Sequence, residues 1–164
     1  MTSFLRLLSA AALVSLTVIG CAPTSAGSAE QQRSAEAPAA RTVPLEIRTA
    51  KGVVRYRVEV ASTAQEQSRG LMYRTSLPDH GGMIFPMVPS RFTSFWMKNT
   101  YIPLDLLFIR PDGTIERIAA MAAPEDLTPI ESREPVAAVL EIIGGGAAAN
   151  GIAEGDRVVW GEKR

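Results

Sequence analysis

One cysteine and one histidine occur in 164 residues. That scarcity excludes an internal disulfide and any zinc site assembled from the usual cysteine and histidine sets. An excess of charge is missing too. The 17 basic and 17 acidic side chains balance, so the chain is no polyelectrolyte and lacks the field that recruits nucleic acid. No Gly-x-Ser-x-Gly elbow appears, and Gly144-Gly145-Gly146 is not followed by the Lys-Ser/Thr of a phosphate loop, so it reads as a turn. Internal repeats and the strand-helix alternation of a dinucleotide-binding fold are absent as well. No apolar run reaches the roughly 20 residues that cross a bilayer as a helix.

The apolar run that does occur, Leu7 to Ile19, is 13 residues long and is broken only by Ser9, Ser15 and Thr17. With Arg6 ahead of it, residues 1–20 read as a cleaved secretory signal. The ending Val18-Ile19-Gly20-Cys21 resembles the bacterial lipobox. By that resemblance Cys21 is the lipid-attachment residue and becomes the mature N-terminus, its sulfur taking up a diacylglyceryl group as a thioether. Two or more acyl chains, at about 0.8 kcal/mol per buried methylene, hold a protein firmly on one leaflet. Ala22, where an aspartate would signal retention, directs it to the outer membrane facing the periplasm if the organism has two membranes. Residues 22–41 contain no Leu, Ile, Val, Met or aromatic side chain. They cannot bury enough apolar area to offset their conformational entropy, so residues 21–41 are expected to form a lipid-anchored, disordered tether.

The globular part is placed at residues 42–164. Val43 to Thr49 and Val53 to Ala61 form an expected hairpin around Lys51-Gly52. Thr63 and Glu66 fit a capping box that opens a helix running to near Met72. Pro78 to Gly82 is turn chemistry, after which Met83 to Val88 resumes extended structure, with Pro86 marking an edge or bulge. Phe92 to Met97 and Leu104 to Ile109 follow as strands, and Pro111-Asp112-Gly113 turns the chain back through Thr114 to Met121. Residues 122–135, with three prolines, read as a long excursion. Val136 to Ile143 and Arg157 to Trp160 complete the set, separated by a glycine- and alanine-rich turn. The expected fold is mainly β to α+β: a single barrel-like domain of about seven or eight short strands with one helix.

Polar residues on apolar faces mark the candidate site. Strand periodicity sets Asp105 beside Leu107 and Ile109, and Glu141 beside Val139 and Ile143. A buried carboxylate needs a cation or several donors nearby. Lys98 is the expected supplier, with Arg69 at the helix end as a second. Three readings follow. The acids and Lys98 form a structural network; or Arg69, Phe85, Trp96, Lys98, Asn99, Asp105 and Glu141 line a ligand pocket; or Asp105 and Glu141 act as the acid and base of an envelope hydrolase, which requires about 5 to 9.5 Å between them. His80 with Met83 and Met87 is a weaker candidate for a soft copper site, although the methionines serve equally as core filler. No cofactor is implied.

The segments Arg69-Gly70-Leu71-Met72-Tyr73-Arg74, Gly82-Met83-Ile84-Phe85, Phe95-Trp96-Met97-Lys98-Asn99-Thr100, Pro103-Leu104-Asp105, Leu140-Glu141 and Gly151 to Val158 stand in a characteristic order. In this the chain resembles a bacterial and archaeal family of uncharacterised proteins, the domain-of-unknown-function family 192. The resemblance implies one compact β-rich domain, often exported, with no established activity and no catalytic residue to carry over. Ile130 stands where that family commonly has an aromatic, which puts a stacking role there in question. Together these features lead to the expectation of a membrane-tethered extracytoplasmic lipoprotein with a non-enzymatic domain for a small molecule or an envelope polymer. A hydrolase or a copper-handling domain is the alternative.

Overall fold

The structure is a computed structural model that describes residues 41–161. The expected leader, Cys21 and residues 22–40 of the tether lie outside the described residues.

The opening hairpin forms as its alternation dictates. In β1 (Thr42–Thr49), Val43, Leu45 and Ile47 point inward between Pro44, Glu46 and Arg48. Its partner β2 (Gly52–Val60) is in register from Thr42↔Glu59 to Thr49↔Gly52. Thr63 then caps α1 (Ala64–Arg69). Its hydroxyl accepts from the Glu66 amide at 3.2 Å, and Glu66 reaches back to the Ser62 and Thr63 amides at 2.8 Å. The helix stops sooner than expected because Gly70 adopts φ 47° and lies against Phe85, where a Cβ would stand 3.3 Å from the ring.

The crossover through α1 makes β3 (Gly81–Arg91) parallel to β2, pairing Arg57↔Gly81 to Val60↔Ile84. This strand is longer than Met83 to Val88, and β2 lies along it only as far as Ile84, so from Pro86 onward it has a free edge on that side, as expected. Pro86 is tolerated there because no β2 carbonyl needs its missing N–H and the ladder to the strand Val136–Ile143 shifts register between Pro86 and Arg91. The expected strand from Phe92 to Met97 shrinks to β4 (Ser94–Phe95), which pairs only with β7 (Ile130–Glu131) inside the supposed excursion. The flanking Phe92 and Trp96 are exposed.

The tight turn behaves as its residues require. Asp112 accepts from the Thr114 amide at 2.9 Å and Gly113 takes φ 89°, joining β5 (Leu104–Ile109) to β6 (Ile115–Ala122). β8 (Val136–Ile143) lies between β5 and β3, α2 (Gly146–Ala149) follows it, and β9 (Arg157–Trp160) pairs with β1. The main sheet is therefore β6-β5-β8-β3-β2-β1-β9. Its two outer strands approach at one end, where Thr114 bridges Arg157 and Val158 donates to Gly113 O at 2.8 Å. No continuous ladder closes the barrel. The domain is mostly β, with nine strands and two short helices among the described residues.

Alternation along the central strands splits the core in two. Ile84, Leu107, Ile109, Leu140 and Ile142 pack with Leu45, Ile47 and Val58 on one face. Phe85, Leu104, Leu106, Phe108 and Val139 pack on the other, beneath Leu71, Met97 and Ile102.

Candidate functional site

Asp105 and Glu141 are both buried, at 0% and 5% exposure, as their positions on apolar faces predict. Their surroundings differ completely. The Asp105 carboxylate accepts three backbone amides: Met121 at 2.8 Å and Gly145 at 2.9 Å on Oδ1, and Ala147 at 2.9 Å on Oδ2. The expected cation is replaced by peptide N–H groups, which hold an anion as effectively when several converge. Gly144 to Ala147 can supply them because Gly145 adopts φ 82° and a Cβ at Gly144 would strike Pro103. The nearby Tyr56 hydroxyl is pushed up to about 12 by burial and by the Asp105 charge. Asp105 thus ties β5, β6 and the start of α2 together and is structural.

Glu141 pairs across the sheet with Met83 and Leu106, on the face that also carries Val139. Asp105 is instead the neighbour of Ile142 and faces the other side. The two acids point to opposite faces of one sheet, so they cannot flank a glycosidic bond, and the hydrolase pairing is corrected. No hydrogen bond or ion pair reaches the Glu141 carboxyl among the described residues. Burial alone pushes it up from 4.5 to about 8.

Glu141 lines an open cavity of about 390 Å³, within the size range of small-molecule sites. Phe85 from β3 and Phe95 from β4 form one wall, meeting edge to face at 5.1 Å. Trp96 and Thr100 enter from the segment after β4, Gln67 and Arg69 from α1, and Arg91 from the end of β3. Gln67 is fixed by donating to Ala61 O at 3.2 Å and Pro86 O at 2.9 Å.

Of the residues expected to form a pocket, Arg69, Phe85, Trp96 and Glu141 do meet there. Lys98 does not; it is exposed, with Nζ over the Trp96 ring at 5.2 Å from the centroid, and it neutralises neither acid. Asn99 also lies outside the lining, donating to the Tyr73 hydroxyl at 2.9 Å. The copper set is not assembled either. His80 is exposed with its ring edge-on to Tyr56 at 5.2 Å, whereas Met83 and Met87 are buried in the opposite core. No group of three or more His, Cys, Asp or Glu among the described residues could hold a metal ion. Arg91, Gln67, Phe95 and Thr100 were not anticipated. Phe95 and Thr100 bound the Phe95 to Thr100 motif that carried the family resemblance, so a signal for them was present. Arg91 gave none, since nothing local shows that β3 extends so far.

The family model for domain of unknown function 192, described as "Uncharacterized ACR", matches residues 46–160. The chain belongs to this family. Arg69, Phe85, Trp96 and Glu141 all fall within the family 192 match. Among solved structures, the chain is similar to a protein of unknown function from Novosphingobium aromaticivorans. The two are 45% identical, with 76% of this chain and 89% of that chain covered and a TM-score of 0.74. It is also similar to a Sinorhizobium meliloti protein described as a candidate transcription regulator, 40% identical over 74% of this chain and 95% of that one, with a TM-score of 0.71. No curated protein matches the chain.

Proposed function

We propose that this family 192 chain is an exported, lipid-anchored binding domain that holds a small molecule, or one unit of an envelope polymer, in the cavity beside Glu141. The observation that carries the binding reading is the unpaired, buried Glu141 carboxyl lining a cavity open to solvent. A polar group in that position costs stability unless something supplies its missing partner, and a bound molecule is what an open cavity can supply. Phe85, Phe95 and Trp96 offer apolar area for the body of such a molecule. Export and anchoring rest on the leader, the Cys21 lipobox and the tether composition. The balance of 17 basic and 17 acidic residues gives no support to a nucleic-acid partner.

A thermal-shift screen of the purified protein against cell-wall fragments, sugars and amino acids tests the reading, with Trp96→Ala run in parallel. The expected result is a compound that raises the melting temperature of the native protein and has no effect on the variant. A screen without any stabilising compound, or equal stabilisation of both proteins, would overturn it.

A further inference from the structure

We infer that the cavity selects molecules bearing a carboxylate, which Arg69 and Arg91 grip from the rim while Glu141 donates a hydrogen bond from within. This rests on the binding reading above and adds the chemical class.

Elsewhere in the domain arginines meet acids: Arg55 with Glu46, Arg74 with Glu59 and Arg110 with Glu134. Arg69 and Arg91 line the cavity, and no acid pairs with either among the described residues. Of the uncharged polar lining groups, Gln67 is committed to carbonyls and the Thr100 hydroxyl to Lys98 O at 3.2 Å, while Ser68, Thr93 and Ser94 bring hydroxyls that donate or accept. The unspent charged capacity consists of two guanidinium groups, which only donate, and Glu141. Burial keeps Glu141 protonated at neutral pH, so its O–H donates as well. A site rich in free donors, with aromatic walls, matches an acceptor-only group on an organic body. A carboxylate is planar and presents two oxygens to the guanidinium fork.

The titration of Glu141 then governs binding. Arg69 on α1 and Arg91 at the end of β3 line the same cavity, but neither charge contributes to the Glu141 shift, whose cause is burial. β5 presents only the apolar Leu104, Leu106 and Phe108 on that face, and Lys98, on the segment between β4 and β5, is turned to Trp96. Among the described residues no second acid lines the cavity. Below about pH 8 the neutral acid donates to the ligand. Above it, an anion faces an anion and affinity falls.

The test is calorimetric titration of the full chain with matched probes: benzoate against benzamide, and glucuronate against glucose, at about pH 6 and about pH 9.5, on either side of the Glu141 transition. At the lower pH each acid should bind at least about tenfold more tightly than its neutral partner, and at the higher pH that advantage should shrink several-fold. Glu141→Gln retains a donor and cannot ionise, so it should keep acid binding and lose the pH dependence. Arg69→Gln combined with Arg91→Gln should remove the preference for acids. Neutral probes binding as well as their acids would overturn the carboxylate class while leaving a binding cavity. A pH dependence unchanged in Glu141→Gln would remove Glu141 from the contact. Absence of heat from both acids would also overturn the class, whereas the broader thermal-shift screen decides the binding reading independently.

Discussion

Replacing Glu141 by glutamine should stabilise the protein, by an amount that depends on pH. The carboxyl has a folded value of about 8 against an ordinary value of 4.5, and burial is the sole cause. Below pH 4.5 both the folded and the unfolded chain carry the proton, and the group costs nothing in this respect. Between 4.5 and 8 the unfolded chain has lost its proton while the folded one retains it, so stability falls by about 1.4 kcal/mol per pH unit. The accumulated cost is about 3 kcal/mol at pH 7 and levels off near 5 kcal/mol above pH 8. Glutamine has similar volume and no charge to bury. Glu141→Gln should therefore exceed the native protein by under about 1 kcal/mol at pH 5, about 3 at pH 7 and about 5 at pH 9. Urea unfolding followed by tryptophan fluorescence at the three pH values measures this, and subtraction of the paired curves isolates this one group. A difference that stays constant with pH, or none at pH 9, would refute the burial argument.

The other acid should behave in the opposite way. Asp105→Ala strands three backbone amides, that of Ala147 buried and those of Met121 and Gly145 partly so, and should cost about 3 kcal/mol in urea unfolding; a loss below about 1 kcal/mol would contradict its tying role. Gly82→Ala should cost about 3 kcal/mol, because a Cβ there collides with the Glu141 carbonyl oxygen on the paired strand; an unchanged midpoint would show that the two strands can separate freely. Arg74 meets Glu59 through two parallel bonds of 2.5 and 2.7 Å, so Arg74→Gln should lose about 1 kcal/mol, and that loss should shrink in high salt. Cys21→Ser should shift the protein from the membrane pellet to the soluble fraction, and an unchanged distribution would reject the lipid anchor.

The features readable from sequence were those fixed by near neighbours. Leu104 to Ile109 and Val136 to Ile143 are bounded by turn residues and match their strands residue for residue, and Thr63 with Glu66 announces its own cap. Strand parity also carried the inward direction of both acids. It did not carry their partners. Asp105 is held by peptide groups, which every residue possesses and no side chain advertises, so the sequence pattern points to Lys98 instead. That the acids face opposite ways depends on the pairing of Leu106 with Glu141, a register set by residues far apart in the chain. Phe92 to Met97 misled because an apolar run resembles a strand whether it enters a sheet or wraps over one. Here only Ser94 and Phe95 pair with another strand, and Trp96 is spent on the cavity.

The contact between Thr114 and Arg157 has a consequence for how copies of the domain treat each other. The first and last strands of an open sheet offer unpaired peptide groups to any passing chain, the usual starting point of strand-by-strand aggregation. Here the two margins occupy each other where they meet, and β9 is only four residues long, with Arg157 and Val158 already in that contact. At high local concentration, that arrangement leaves little template on which a neighbour's backbone could grow.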